Sequence, residues 1–151
     1  MLLALVLAFA TLQADDVTVF VFTATDPSGF TDPLQAQRVE AVANLKTEIE
    51  KKKGLTVTET KDVADLVVEV VDAGKLATGA TRTKGLSTGL DGAVFGTTTR
   101  QETKPQVHAV LRAGTYQLEF QGSASNMKRA AGAVADGVEK WVKQNRAKLT
   151  K

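Results

Sequence analysis

Val17-Thr18-Val19-Phe20-Val21-Phe22 is β-branched or aromatic at every position, with apolar side chains on both faces of its alternation except at Thr18. Such a run reads as a central strand. Turn chemistry follows at Asp26-Pro27-Ser28-Gly29. Asp32-Pro33-Leu34-Gln35 then supplies an N-cap, a proline at the first helical position and a Gln three residues after the cap. A helix begins there. Leu34, Val39, Val42, Leu45 and Ile49 recur at near-helical spacing and predict its buried face. Lys51-Lys52-Lys53 sit where the helix dipole favours cations, a solvated helix end rather than a phosphate site, and Gly54 suits the C′ position. Strand followed by helix is the first part of a βα crossover, right-handed if the strands it links are parallel.

Working outward, residues 55–60 alternate as Leu-Thr-Val-Thr-Glu-Thr, a strand with a half-polar face. After a short connection at 61–65, Leu66-Val67-Val68-Glu69-Val70-Val71 reads as a second central strand. Residues 74–104 hold six of the twelve glycines and eight threonines with little apolar periodicity, which reads as either a long loop or a weak, mostly polar hairpin. An insertion of that length in a compact domain is often functional. Residues 107–112 and 115–121 flank Ala113-Gly114, and Tyr116, Leu118 and Phe120 alternate with Gln117, Glu119 and Gln121, the pattern of a hairpin with one buried face. Ser123, Ser125 or Asn126 caps a last helix on which Met127, Ala131, Val134, Val138, Trp141, Val142, Asn145 and Leu149 follow a 3–4 spacing. Trp141 reads as a core anchor, and Gly132 and Gly137 among alanines suggest a helix pressed against its neighbour. The predicted fold is an α/β (α+β) two-layer sandwich: a mixed sheet of about five strands with two amphipathic helices on one face. Residues 15–151 form a single domain carrying the insertion at 74–104.

Two helices leave one sheet face bare, and alternation says which residues lie on it. If Leu66, Val68, Val70, Val107, Ala109, Leu111, Tyr116, Leu118 and Phe120 meet the helices, then Val67, Glu69, Val71, His108, Val110, Arg112, Gln117, Glu119 and Gln121 look the other way. Thr56, Thr58, Glu69, His108, Arg112 and Glu119 are the candidate binding surface. An acid inside an aliphatic run must be paired or solvated, and Arg112 pairing with Glu69 or Glu119 is the simplest solution. The cluster of Glu69, His108 and Glu119 around the only histidine is the alternative, a small hydrolytic site.

With 43% hydrophobic and 24% charged residues, the 151-residue chain has the composition of a globular domain. Having no Cys removes thiol chemistry, zinc-thiolate sites, disulfides and lipobox anchoring together. The sequence has neither a G-x-S-x-G elbow nor a Walker A loop, and Asp62, Asp65, Glu69 and Asp72 lack the calcium-loop pattern, so no catalytic residue, cofactor or metal ligand is assigned. A net charge of +2 gives no argument for nucleic acid. Residues 126–151, however, carry seven basic against two acidic side chains, a net of +5. Lys140, Lys143 and Arg146, with Lys148 and Lys151, make a basic helix end that is either a solvated face or a dock for an acidic partner. At the other end, residues 2–12 are apolar and uncharged and lead through Gln13-Ala14 into Asp15-Asp16. This predicts a signal peptide over 1–14 and a periplasmic or secreted protein, with no other stretch apolar enough to cross a membrane as a helix.

Lys61-Asp62-Val63-Ala64-Asp65-Leu66-Val67-Val68-Glu69-Val70, following a helix and a short strand, resembles the Ala-Asp-hydrophobic strand of small bacterial envelope domains. These are the periplasmic domain of the curli secretion channel, the N-terminal domain of the Tol translocation protein and the penicillin-binding-protein activator lipoproteins. Val110-Leu111-Arg112-Ala113-Gly114-Thr115-Tyr116 with Phe120-Gln121-Gly122 is similar to their last hairpin, and the likeness covers most of 17–149. The chain departs from the lipoprotein members in lacking a lipidated Cys. It departs from the channel in lacking an alternating apolar face over 74–104. The resemblance implies a non-catalytic role in envelope assembly through contacts with a protein or a surface polymer. A small secreted hydrolase and a self-associating, homo-oligomeric structural subunit are the alternatives.

Overall fold

The chain runs β1 (Val17–Phe22), α1 (Pro33–Glu50), β2 (Leu55–Thr58), a single 3-10 turn (Lys61–Val63), β3 (Leu66–Gly89), β4 (Gly92–Ala113), β5 (Tyr116–Ser123) and α2 (Met127–Leu149). The computed structural model describes residues 16–25, 33–89 and 92–149, with side chains throughout except at 33 and 76–102. The expected leader at 1–14, the turn at 26–29 and the Asp32 cap lie outside the described residues.

The sheet order is β2-β1-β3-β4-β5, with β1 parallel to β2 and β3, and the remaining pairs antiparallel. Val17, Val19 and Val21 of β1, Leu66, Val68 and Val70 of β3, and Val107, Ala109 and Leu111 of β4 form one buried layer. Ala41, Leu45 and Ile49 of α1 and Val134, Val138, Trp141 and Val142 of α2 close over it, so both helices cover the same face of a two-layer α/β sandwich. The connection from β2 to β3 passes on the opposite face. Thr18, whose neighbours Val17 and Val19 point into the core, has its Oγ1 3.0 Å from the Val63 carbonyl. The two parallel connections thus run in opposite directions on opposite faces and share one hand. Asp65 pins this return: its Oδ2 accepts from Thr18 N at 2.9 Å and lies 2.8 Å from Thr18 Oγ1, while Asp65 N donates to the Thr18 carbonyl at 3.0 Å.

Several expectations are corrected. On α1 the buried stripe is Ala41, Leu45 and Ile49, at strict four-residue spacing, with Val42 at its margin; Leu34 and Val39 are 43% and 53% exposed. Val39 is two residues from Ala41, roughly 200° around the helix, so size does not compensate for phase. Tyr116 opens an edge strand and stays 42% exposed, lying edge-on to Trp141 at 6.1 Å instead of entering the core. Strict alternation would have carried Asp72 inward. A bulge between Val70 and Asp72 shifts the register, so Asp72 stands exposed opposite His108 and Ala73 takes the buried place.

At the C-terminal helix, Asn126 is the cap among the three candidates, its Oδ1 accepting from Arg129 N at 2.8 Å. Of the two α2 glycines, Gly137 is the tight one: a Cβ there would stand 2.7 Å from the Phe120 ring, whereas Gly132 leaves 3.8 Å to Glu48. Gly122 of β5 is tighter still, with a Cβ falling 2.0 Å from the Ala130 carbonyl oxygen. The lysine triplet is not simply solvated, since Lys52 pairs with Asp136 of α2 and Lys51 with Glu48 at 2.6 Å.

Residues 74–89 and 92–104 pair as the two strands of a hairpin, the second of the two readings. β3 and β4 stay paired from Lys75↔Pro105 to Gly89↔Gly92, with a second bulge between Ala77 and Gly79, over roughly 45 Å at about 3.3 Å per residue. β5 pairing ends at Gln106↔Ser123 and β1 pairing at Phe22↔Glu69, so among the described residues this stretch is a two-stranded ribbon.

Candidate functional site: the helix-free sheet face

The strands place their second set of side chains opposite the helices. Thr56 and Thr58 come from β2, Thr18, Phe20 and Phe22 from β1, Val67 and Glu69 from β3, His108, Val110 and Arg112 from β4, and Glu119 from β5. Register sets their rows. Thr58, Phe20, Val67 and Arg112 stand side by side, and the next row is Phe22, Glu69, Val110 and Glu119. All six residues predicted as a binding surface therefore do share a face.

Two diagonal pairs organise its charged half. Arg112 Nη1 donates to Glu69 Oε2 at 2.6 Å, the pairing expected for an acid in an aliphatic strand. His108 Nε2 approaches Glu119 Oε2 at 3.4 Å without hydrogen-bond geometry, and that nitrogen is screened from water with no hydrogen-bond partner. Between the pairs stands Val110, register partner of both Glu69 and Glu119, only 6% exposed although no helix covers it. Toward β1 the face is apolar. Phe20 and Phe22 stack at 5.6 Å, both partly exposed like Val67, and Lys61 Nζ lies 5.9 Å over the Phe22 ring. The face thus has an aromatic and aliphatic half, a charged half and an edge of threonine hydroxyls, of which Thr56 donates to Asp16 at 3.2 Å.

The arrangement offers little acid–base chemistry. Glu69 is committed to a guanidinium, leaving His108 and the exposed Glu119 as the remaining members of the predicted hydrolytic trio. Among the described residues no group of three or more His, Asp or Glu converges as a metal-binding set. The basic helix end is largely drawn into local contacts: Lys143 pairs with Glu139 at 2.7 Å, Arg146 lies against Gly54, and Lys148 sits 5.5 Å over Tyr116. Lys140 is exposed.

Sequence reasoning missed one feature. Just beyond the carboxyl end of β1, beside Glu69, Val70 and Val71 of β3, an open crevice of about 340 Å³ is lined by Thr23, Thr25, Arg38 and Glu69 among others. Strand order is needed to see it, and no motif announces strand order. No protein-family model matches the chain, and no curated protein matches it either.

Proposed function

We propose that the chain is an exported, non-enzymatic binding module that holds a cell-envelope protein on the helix-free face of its sheet. The observation that supports this is the make-up of that face: Phe20, Phe22 and Val67 partly exposed in adjacent strands, bordered by Arg112, Glu69, His108 and Glu119. An aromatic and aliphatic centre with a polar, arginine-bearing rim is the anatomy of protein-binding surfaces. The apolar run at 2–12 ending before Asp15-Asp16 supports export.

The test is photo-crosslinking in the native cell envelope from Thr58 and Glu119 on the face and from Lys143 on α2, followed by mass spectrometry. One dominant protein captured from Thr58 and Glu119 is the expected result. Capture from Lys143 alone would move the interface to the basic helix and end this reading, and capture of carbohydrate alone would replace the protein partner with a surface polymer. The 3.4 Å approach of His108 and Glu119 favours a second reading, a small hydrolase. A hydrolytic activity lost in His108→Ala at unchanged melting temperature would establish it.

A further inference from the structure

The β3–β4 ribbon divides by charge along its length. Its shaft, residues 75–84 and 97–104, carries Lys75, Arg82, Lys84, Arg100 and Lys104 against a single acid, Glu102. Register places three of these cations within four successive rungs, Arg82↔Thr99 and Lys84↔Thr97 on one face of the ribbon and Thr81↔Arg100 on the other. Beyond Gly85↔Gly96 the strands change character. Leu86 stands opposite Phe95, Ser87 opposite Val94 and Thr88 opposite Ala93, and Asp91 is the one charged residue in the whole of 85–96.

A cationic shaft ending in a short apolar tip is the complement of an anionic lipid surface. The negative headgroup potential attracts the shaft, and the aromatic and aliphatic tip gains by leaving water at the headgroup boundary. Two limits set the depth. A membrane-spanning strand needs about 9–11 residues, twice what the tip provides per strand. A two-stranded ribbon also keeps unpaired N–H and C=O groups on both edges, which hydrocarbon does not tolerate. We propose that the ribbon docks this domain on an anionic membrane surface, with the rungs around Leu86, Val94 and Phe95 entering the interface and Arg82, Lys84 and Arg100 at the headgroups. The ribbon then holds the module at a bilayer while the helix-free face stays open for its partner. Pairing of free ribbon edges between copies is the competing occupant, and it would bring two sets of five cations side by side.

The test is flotation of the purified chain with vesicles of phosphatidylcholine alone and of equimolar phosphatidylcholine and phosphatidylglycerol. Binding to the anionic vesicles only, weakened by salt, is expected. Leu86→Ser with Phe95→Ser should weaken it about tenfold, and Arg82→Gln, Lys84→Gln and Arg100→Gln should weaken it about fivefold for each cation removed. Circular dichroism should show all variants folded. Since the chain has no Cys, a polarity-sensitive dye can be placed at Ser87→Cys or Thr81→Cys. A blue shift on anionic vesicles at Ser87→Cys, larger than at Thr81→Cys, supports tip entry. Equal binding to both vesicle types, no binding, or no shift at the tip would overturn the proposal. So would undiminished binding by the tip variant, which keeps residues 1–14 and would still bind through that apolar run. Vesicle leakage with ribbon-paired oligomers would assign the ribbon to assembly instead.

Discussion

Glu69 places an acidic side chain, 17% exposed, within an aliphatic strand, and Arg112 pairs with it at 2.6 Å. Removing one partner of such a pair costs more than removing both, because the remaining charge loses its counter-ion without regaining water. Arg112→Met is therefore expected to lower stability by about 1–2 kcal/mol, and adding Glu69→Gln should recover part of the loss; denaturant unfolding of the four-member cycle measures it. Among the described residues Lys52 carries the one clear electrostatic signature. Its hydrogen bond to Asp136 holds its pKa above the ordinary lysine value, with the charges of Asp136, Glu139 and Glu48 adding to the shift and partial burial opposing it. A raised lysine pKa means stability that is complete at neutral pH and lost as pH climbs through the folded-state value, above 10.5. Lys52→Met should cost about 0.5 kcal/mol at pH 7, a difference that thermal melts should find vanishing at strongly alkaline pH. At this scale the Glu69–Arg112 pair was legible because a lone acid among aliphatics demands a partner. The Asp65–Thr18 knot was not legible, because it joins residues far apart in sequence through a return whose path depends on strand order.

Among the elements, β5 and α2 meet most closely where side chains are missing. At Gly122 a Cβ would strike the backbone carbonyl of Ala130, which cannot move without shifting α2, so Gly122→Ala should destabilise by about 2–3 kcal/mol. At Gly137 the obstacle is the Phe120 ring, partly exposed near the sheet edge and able to swing aside, while alanine gains about 1 kcal/mol of helix propensity. Gly137→Ala should accordingly stay within about 1 kcal/mol of the parent, and chemical denaturation of the two variants separates the cases. Glycine content alone marked α2 as closely packed, but which glycine is tight depends on the opposite surface. The same holds for α1, where periodicity found the helix and misassigned Val39, because the small residue Ala41 and not the larger Val39 lies on the line through Leu45 and Ile49, and misassigned Leu34, which is in phase with that line but stands exposed in the first turn.

For the whole molecule, the element order, the two-layer architecture and the helix-free face followed from alternation and from counting helices against strands. Strand order did not, since no motif announces parallel pairing, and the Gly/Thr-rich stretch at 74–104, with little apolar periodicity, read as either a loop or a hairpin. Among the described residues core burial ends at Ala73 and Val107, so replacing 77–103 by an Asn-Gly turn should leave the melting temperature within about 5 °C of the parent. The helix-free face is the centre of the functional account, and Phe20 lies in its apolar half, beside Thr58 and Val67 in register. The most direct test is partner capture by a crosslinker at Glu119 in Phe20→Gln, with melting temperature measured on the same variant. Capture should fall more than about tenfold while the fold is retained, and undiminished capture from the folded variant would contradict the assignment of this face as the binding surface.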